Sequence, residues 1–242
     1  MSRLIKLTFR NDYSTRNNTK IDLKQSRGTN TNSFTQSTAS KKPTAKSAGN
    51  VHSSLAVGLS SISCNGSNTM SLSSTQTLAQ NSEYTILVAW TNGDYTNDTW
   101  LISGTSNDAH WGIKAGGGDV IYKADGSKAA AGERDYPTDS TANSTTSYTF
   151  GSDVEVLAIT LDGTGASTLC SVYNIDGDRI AVPSAVNTNG LSVAFPIDHV
   201  IGKSDGTLGL NGELLDIAVY DEVLSASLIE AYGNNFKQMK DF

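Results

Sequence analysis

The chain has 242 residues, a formal net charge of −6 and only 17% charged residues. That charge is unevenly distributed. Residues 1–50 hold ten basic and two acidic residues (+8), and residues 51–242 hold eight basic and 22 acidic residues (−14). No run of about 18 apolar residues occurs, so we expect no transmembrane helix and no membrane partner. The first residues also lack a signal-peptide apolar core, which excludes a standard secretory route at this stage.

Residues 1–50 are predicted to form an extended anchoring arm. Ser, Thr and Asn make up 21 of these 50 residues, so the segment has too few apolar side chains to offset its ordering entropy. Residues 4–9 are strand-like and are predicted to add to an exposed sheet edge of a partner. Opposite charges would steer the arm toward a second copy or an acidic shell. The predicted partner-binding residues are Arg3, Leu4, Lys6, Leu7, Phe9, Arg10, Arg16, Lys41 and Lys42.

The pattern of residue types changes near residue 51, where short apolar runs begin to alternate with turn residues. Residues 84–90 are apolar on both faces, which predicts a central strand, and residues 154–161 predict another. Asn65-Gly66-Ser67-Asn68 is a strong turn signal. Near the end, Ser227 and Glu230 have capping-box spacing, Ser225 is a rival N-cap, and Gly233 is a candidate helix stop. The pattern predicts an all-β antiparallel sandwich with one short C-terminal helix.

Four segments of the body resemble the concanavalin A-like lectin/glucanase superfamily, in its laminin-G-like jelly-roll branch. They are residues 61–68, 84–90, 157–177 and 201–225, and together they cover about residues 51–235. The last is the most specific, because a glycine, a strand and a helix start follow in order. The resemblance implies a two-sheet jelly roll over residues 51–242. It does not fix the function, because relatives include lectins, glucanases, adhesion modules and virion proteins.

Hydrolysis of polysaccharides is disfavoured by the spacing of the carboxylates. Glycosidases usually place two acids across the scissile bond, and the glucanase branch carries them on one strand face. The nearest string, Glu133, Asp135 and Asp139, has the wrong spacing and lies in a region typical of loops. We therefore expect no enzymatic activity. Zinc-ligand spacing, a G-x-S-x-G motif and a phosphate-binding loop are also absent from the sequence. Among the histidines, His199 is placed to pair with Asp198.

Two kinds of ligand remain open for the body. Calcium needs about six oxygen ligands on converging loops, and Asp94, Asn97 and Asp98 are the candidate donors. A glycan would instead stack on an aromatic ring beside Asp and Asn side chains. The candidate glycan residues are Tyr95, Trp100, Trp111 and Tyr136. The two cysteines, Cys64 and Cys170, are predicted to be buried reduced thiols, and no other cofactor is expected.

The leading hypothesis from the sequence is a virion structural protein, such as a bacteriophage decoration, cement or appendage protein. Residues 1–50 would anchor it to other virion proteins or to copies of itself, and the jelly roll would be displayed on the virion surface. Nucleic acid is a disfavoured partner, because few aromatic residues accompany the basic residues of the arm. The alternative is a carbohydrate-binding host-adsorption module of a tail fibre that recognises a host-surface glycan. A polysaccharide hydrolase ranks third.

Overall fold

The fold is taken from a computed structural model of the chain. The structure describes residues 3–8, 34–46, 61–79, 82–91, 93–105, 109–113, 115–116, 120–123, 134–136, 150, 155–161, 170–173, 179–180, 195–203 and 205–240.

Short strands dominate the described part of the chain. The first eight are β1 (Arg3–Thr8), β2 (Phe34–Thr35), β3 (Thr44–Lys46), β4 (Ser61–Asn65), β5 (Met70–Leu78), β6 (Tyr84–Thr91), β7 (Thr99–Gly104) and β8 (Ala109–Ile113). The later ones are β9 (Val120–Lys123), β10 (Arg134–Tyr136), β11 (Glu155–Leu161), β12 (Cys170–Tyr173), β13 (Arg179–Ile180), β14 (Phe195–Val200) and β15 (Asn211–Tyr220). A 3-10 helix covers Ala39–Lys41, and helix α1 covers Ala226–Lys240.

The strands form two antiparallel sheets. The larger sheet has the order β13-β12-β11-β6-β15-β4-β3, and β1 also pairs with β15. The smaller sheet has the order β10-β9-β8-β7-β14-β5-β2. One cluster of buried apolar side chains draws members from both sheets, among them Trp90 of β6 and Trp111 of β8. The predicted two-sheet antiparallel sandwich of the jelly-roll kind, with a C-terminal helix, is confirmed.

Strand β6 shows why the larger sheet is buried on both faces. All eight of its residues are buried, which matches its continuous apolar sequence. One face, including Ile86 and Val88, joins the core between the sheets. The opposite face carries Leu87, which packs in a second apolar cluster with Leu224 and with Ile229 of α1. The helix therefore covers the outer face of this sheet.

Helix α1 begins after Ser225, the rival N-cap of the sequence analysis. The Leu228 amide donates to the Ser225 hydroxyl over 3.4 Å, and the Ile229 amide donates to the Ser225 carbonyl over 3.1 Å. The expectation that Gly233 stops the helix is wrong, because Gly233 is buried inside it. Packing of the helix on the sheet outweighs the local cost of glycine, about 1 kcal/mol.

Three strands from residues 1–50 belong to the sandwich itself. Strand β1 pairs with residues 216–220 of β15, on the edge opposite β6. Strand β2 pairs with β5 and strand β3 pairs with β4. The predicted addition of residues 4–9 to a partner's sheet is corrected here, since β1 fills an edge of its own sheet. The division at residue 50, with residues 1–50 acting as an anchoring arm, stays a prediction.

Cys64 of β4 has a free, buried thiol. Burial raises the pKa of this thiol, and the nearby Glu213 charge raises it further. It is therefore an unreactive packing residue, as expected. The side chain of Cys170 lies outside the described residues.

Within the described ranges, no helix has both the length and the apolarity needed to cross a membrane.

Candidate functional site

A polar cleft of about 550 Å³ lies where three connections meet at one end of the sandwich. They are the turn 65–68 after β4, the loop 93–98 between β6 and β7, and the loop 201–210 between β14 and β15. The lining residues are Asn65, Gly66, Ser67, Asp94, Thr96, Asn97, Asp98, Thr99, Gly206, Thr207, Leu208, Gly209 and Asn211.

The turn 65–68 is held by its own side chains. The Asn65 amide donates to Asn68 Oδ1 over 2.7 Å, and the Ser67 amide donates to Asn65 Oδ1 over 3.1 Å. Gly66 adopts a φ of 77°, which a residue without a Cβ tolerates well. Asn68 Nδ2 donates to the Lys42 carbonyl over 3.0 Å, so residues from 1–50 support this turn. The turn signal in the sequence is confirmed.

Two Asp-x-Thr turns shape the other walls. In loop 93–98, Asp94 Oδ1 accepts hydrogen bonds from the Thr96 amide and hydroxyl, over 3.1 and 2.7 Å. In loop 201–210, Asp205 Oδ1 accepts the same pair from Thr207, over 2.9 and 2.5 Å. Each aspartate thus orders the backbone two residues ahead of it, which is the Asx-turn geometry.

Backbone hydrogen bonds tie the three connections together. The Gly66 amide donates to the Leu210 carbonyl, and the Gly209 amide donates to the Gly66 carbonyl, both over 3.0 Å. The Asp94 amide donates to the Asn211 carbonyl over 2.8 Å, and Asn211 Nδ2 donates to Asp94 Oδ2 over 2.8 Å. The cleft is therefore preorganised by the chain rather than by mobile side chains.

Loop 201–210 also stores backbone strain. Ile201 has a φ of 55° and Leu208 has a φ of 53°, in the left-handed region that β-branched and bulky residues rarely adopt. The Leu208 carbonyl accepts a hydrogen bond from the Trp100 amide over 2.7 Å, and the Ile201 amide donates to the Leu101 carbonyl over 2.9 Å. These two bonds to β7 hold the strained residues. Strain of this kind clusters at ligand sites, and Leu208 supplies an apolar side chain to the cleft.

The cleft is acidic and hydrogen-bonding. Two carboxylates, Asp94 and Asp98, line it together with amides, hydroxyls and backbone groups. Among the described residues that line the cleft, none is basic and none is aromatic. Hydrogen bonds from Thr96, and then from Asn211, hold the pKa of Asp94 below its ordinary value of 3.8. Hydrogen bonds from Thr207, together with the positive charges of Lys203 and Lys41, lower the pKa of Asp205.

These lowered pKa values predict a pH limit for the cleft. Because ionised Asp94 and Asp205 accept the Thr96 and Thr207 bonds, the order they provide is present above pH 3.8 and is lost as pH falls through the folded pKa values. We expect the Thr96 and Thr207 amide signals in NMR spectra to stay constant from pH 7 to pH 5. Their titration midpoints should lie below 3.8. Midpoints above that value would show that the turns do not depend on the carboxylates.

Gly209 lies where backbone segments approach each other closely. A Cβ at this position would stand 2.6 Å from the Asn68 carbonyl oxygen and 2.9 Å from the Gly66 carbonyl oxygen. We expect Gly209→Ala to lower the free energy of unfolding by about 1–3 kcal/mol, as overpacking does, and to distort the cleft. Denaturant unfolding measures it. Gly116→Ala is the reference for backbone strain without a clash, because Gly116 has a φ of 90° and its Cβ would meet nothing within 4 Å. Unchanged stability of Gly209→Ala would show that the two carbonyl groups move aside for a methyl group.

The aromatic residues predicted to stack on a glycan are core residues instead. Tyr95, Trp100 and Trp111 are 8%, 5% and 0% exposed. The hydroxyl of Tyr95 accepts a hydrogen bond from Trp90 Nε1 over 2.5 Å, and Trp111 Nε1 donates to the Tyr84 hydroxyl over 3.3 Å. Large rings gain more by burial in the sandwich than by exposure at its rim. This part of the prediction is corrected.

The ring of Trp100 is covered by two neighbouring side chains. Trp100 stacks on His110 with ring centroids 3.8 Å apart, and Lys203 Nζ lies 5.3 Å from its ring centroid. Its ring is therefore covered on the smaller sheet. Tyr136 lies in β10, opposite Val120, and its side chain falls outside the described residues.

The three predicted calcium donors do meet at the cleft, where Asp94, Asn97 and Asp98 share one wall. Both carboxylates are engaged in loop bonds, since Asp98 Oδ1 accepts from the Ala115 amide over 2.8 Å. Within the described residues, no three His, Cys, Asp or Glu side chains group as metal ligands. The geometry gives these aspartates a role in shaping the loops, and calcium stays a prediction.

The predicted arm residues divide between sheet, cleft support and undescribed positions. Arg3, Leu4, Lys6 and Leu7 lie in β1. Lys41 Nζ donates to the Asp205 carbonyl, so this residue supports loop 201–210. Phe9, Arg10 and Arg16 lie outside the described residues, as do Glu133 and Asp139 of the acidic string. A partner-binding role for these basic residues stays a prediction.

Of the thirteen described lining residues, only Asp94, Asn97 and Asp98 were predicted from the sequence as ligand-binding residues. Asn65, Gly66 and Ser67 were predicted only as a turn, and Thr207 and Asn211 were not predicted as site residues. One signal was available, because the Asp-x-Thr pattern occurs in both loops that line the cleft. The meeting of these loops depends on β15 pairing with β4 and β6, which no local pattern encodes.

Comparison with known proteins finds likeness in structure only. No family model matches the chain, and no curated protein sequence matches it. The binding domain of Paraclostridial Mosquitocidal Protein 1 is similar, with a TM-score of 0.52 and 13% identity over 97% of this chain and 52% of that one. The Ruminococcus gnavus IT-sialidase CBM40 bound to α2,3 sialyllactose has a TM-score of 0.46 and 16% identity over 63% of this chain and 83% of that one.

A botulinum neurotoxin type C structure, whose cell entry depends on two ganglioside molecules, has a TM-score of 0.44 and 13% identity over 97% of this chain. This chain spans about half of the length of both toxin structures. At such identities, what is shared with the mosquitocidal protein's domain is the all-β sandwich fold. The structures compared are binding domains rather than catalytic ones, and the expected absence of enzymatic activity stays a prediction.

Proposed function

We propose that this chain is a lectin-like module that binds uncharged glycans in the cleft between the turn 65–68 and the loops 93–98 and 201–210. The observation that carries the proposal is the lining itself, in which carboxylates, amides and hydroxyls converge on a volume of about 550 Å³. Sugar hydroxyls both donate and accept hydrogen bonds, so they match a wall of this composition.

The electrostatics support neutral rather than acidic sugars. Asp94 and Asp98 would repel a carboxylate on a ligand, and no basic side chain among the described lining residues would offset that repulsion. Preorganisation supports the proposal as well. Because backbone bonds fix the loops before a ligand arrives, binding loses less conformational entropy. This cleft replaces the buried aromatic residues as the expected glycan site.

A glycan array followed by calorimetry tests the proposal. We expect neutral hexose-containing glycans to bind and sialylated glycans to bind at least tenfold more weakly. Asp94→Ala should weaken neutral-glycan binding about 10- to 100-fold, because it removes a charged acceptor and releases Thr96 and Asn211.

Asp221→Ala is the matched control, since Asp221 is an exposed aspartate that does not line the cleft. Its affinity should equal that of the unaltered chain. Stronger binding of sialylated glycans than of neutral ones would contradict the charge argument. An array without signal, repeated with calcium present, would reject the proposed function.

A second proposal concerns the setting in which the module is displayed. The +8 charge of residues 1–50 beside the −14 of the remainder supports a virion structural protein that assembles with other virion proteins or with its own copies. Appendages and tail fibres that contact a host surface would use such a glycan module. The test is whether the chain co-purifies with intact viral particles at fixed stoichiometry. Its absence from purified particles would reject this setting and leave the glycan proposal standing.

A further inference from the structure

A serine, a histidine and an aspartate form a hydrogen-bonded relay on the smaller sheet. Ser71 Oγ lies 3.0 Å from His199 Nε2, and His199 Nδ1 lies 2.5 Å from Asp198 Oδ1. None of the three lines the glycan cleft. The His199–Asp198 pair was expected from the sequence and is confirmed, whereas its serine partner is 128 residues away along the chain.

An irregular pairing of β14 with β5 lies at this relay. Ile197 stands opposite Gln76 and His199 stands opposite Ser71, so the single residue Asp198 of β14 faces residues 72–75 of β5. The extra residues of this β-bulge therefore lie on β5. Ile197 and Val200 are buried in the core, while the two residues between them are only half-buried. The shift brings Ser71 to the position opposite His199.

Thr105 fixes the carboxylate. Its amide donates to both oxygens of Asp198, over 2.9 and 3.1 Å, and its hydroxyl lies 3.0 Å from Oδ1. The same hydroxyl lies 3.2 Å from His199 Nδ1. The aspartate is therefore held in place by the β7–β8 connection and cannot rotate away from the imidazole.

The hydrogen bonds select one tautomer of the imidazole. A carboxylate at 2.5 Å from Nδ1 is an acceptor, so Nδ1 carries the proton. Nε2 is then left with a lone pair, and the Ser71 hydroxyl donates to it. This arrangement has a nucleophile, a base and an orienting acid in the order that serine activation requires. The side chains of His199 and Asp198 are 12% and 22% exposed, so solvent reaches the relay while partial burial strengthens it.

Other described serines donate to groups that cannot serve as a neutral base. The hydroxyl of Ser61 donates to the buried Glu213 carboxylate over 3.3 Å, and that of Ser103 donates to the Gly202 carbonyl over 2.8 Å. Ser71 differs from both by its histidine acceptor and by its exposure, since Ser61 and Ser103 are buried and Ser71 is half-buried. The exposed Ser73 of the same strand is therefore the reference for reactivity.

Contrary to the expectation of no enzymatic activity drawn from the sequence, we propose that Ser71 is a nucleophile that hydrolyses short-chain, uncharged esters. Its oxygen attacks the ester carbonyl carbon while His199 Nε2 takes the hydroxyl proton. The bond from the carbonyl carbon to the alcohol oxygen breaks, and His199 gives that proton to the departing alcohol, which leaves an acyl-serine. Water then attacks the acyl-serine, His199 takes one proton from it and returns it to Ser71 Oγ, and the carboxylic acid departs. Because Asp198 already places a negative charge beside the imidazole, uncharged esters are favoured over anionic ones.

General-base assistance of this kind contributes about 10²- to 10⁴-fold in rate. With the full chain and p-nitrophenyl acetate, we expect a burst of nitrophenol followed by slow turnover. A fluorophosphonate probe should label Ser71, located by peptide mass spectrometry, at least tenfold faster than the exposed Ser73. Ser71→Ala should abolish the burst, and His199→Gln should reduce it at least 100-fold.

Ser73→Ala is the matched control, because Ser73 is an exposed serine two residues further along β5. It should keep the full burst. Thermal unfolding of Ser71→Ala and His199→Gln checks that both variants fold. A burst that survives in folded Ser71→Ala, or equal labelling of Ser71 and Ser73, would overturn the proposal. Glycan binding in the cleft should be the same in Ser71→Ala as in the unaltered chain, so the two proposals fail independently.

Discussion

Trp111→Ala is expected to lower the free energy of unfolding by about 3–5 kcal/mol, the cost of removing a large aromatic side chain from a packed core. Trp111 is fully buried between the sheets and donates to the Tyr84 hydroxyl over 3.3 Å. Its removal leaves a cavity on β8 and takes away one hydrogen-bond donor to the Tyr84 hydroxyl of β6. Denaturant unfolding followed by tryptophan fluorescence and circular dichroism measures the change.

Trp111→Phe separates stability from ligand binding. It keeps most of the apolar volume and loses the indole N–H, so we expect a smaller loss of stability and unchanged glycan affinity. Leu228→Ala is the control for an apolar deletion at an exposed position, since Leu228 is 45% exposed, and it should change stability little. If Trp111→Phe were as stable as the unaltered chain yet unable to bind glycans, the result would support the aromatic glycan site predicted from the sequence.

Deletion of residues 1–10 is expected to destabilise the fold by roughly 2–4 kcal/mol and to cause self-association. The deletion removes β1, and residues 216–220 of β15 then lose their cross-strand partners on one edge. Each lost backbone hydrogen bond contributes about 0.5–1.5 kcal/mol. The open edge also becomes a template on which a second copy can pair. Size-exclusion chromatography with light scattering and hydrogen exchange at 216–220 measure both effects.

A shorter deletion, residues 1–2, keeps all of β1 and should leave the state of association and the exchange rates unchanged. Lys6→Pro is a second variant. It keeps the full length but removes an amide from the middle of β1, so it should reproduce part of the effect. Unchanged protection of residues 216–220 after the ten-residue deletion would show that β1 does not hold this edge.

These deletions bear directly on the virion hypothesis. Removing all of residues 1–50 would take away β1, β2 and β3 together with the Lys41 and Lys42 bonds to the cleft loops. A loss of particle incorporation would then have two causes, lost anchoring and lost folding. A variant in which Arg10, Arg16, Lys20, Lys24 and Arg27 are changed to glutamate separates them, because it leaves β1, β2, β3, Lys41 and Lys42 unaltered and removes the attraction to an acidic shell.

The sequence by itself determined the class of the fold, because strand and turn signals are local. The apolar run at 84–90 became β6, the run at 154–161 became β11, and the turn 65–68 formed as expected. The helix start was also within reach, since Ser225 is a good N-cap. The sequence did not predict the end of the helix. Gly233 lies inside α1, because contacts of α1 with the outer face of the larger sheet hold the helix.

Only the tertiary structure decided which residues meet. Tyr95, Trp100 and Trp111 have polar residues around them in the sequence that suit a sugar site, yet all three are buried. Trp100 and Trp111 lie in the paired strands β7 and β8. Tyr95 packs against Trp90 and Phe150. The cleft and the relay both join residues more than 100 positions apart, as Asp94 with Asn211 and Ser71 with His199 show. The physical reason is that local propensity fixes what each segment becomes. The partner of each segment is chosen by burial of the whole sandwich and, between β14 and β5, by a register shift.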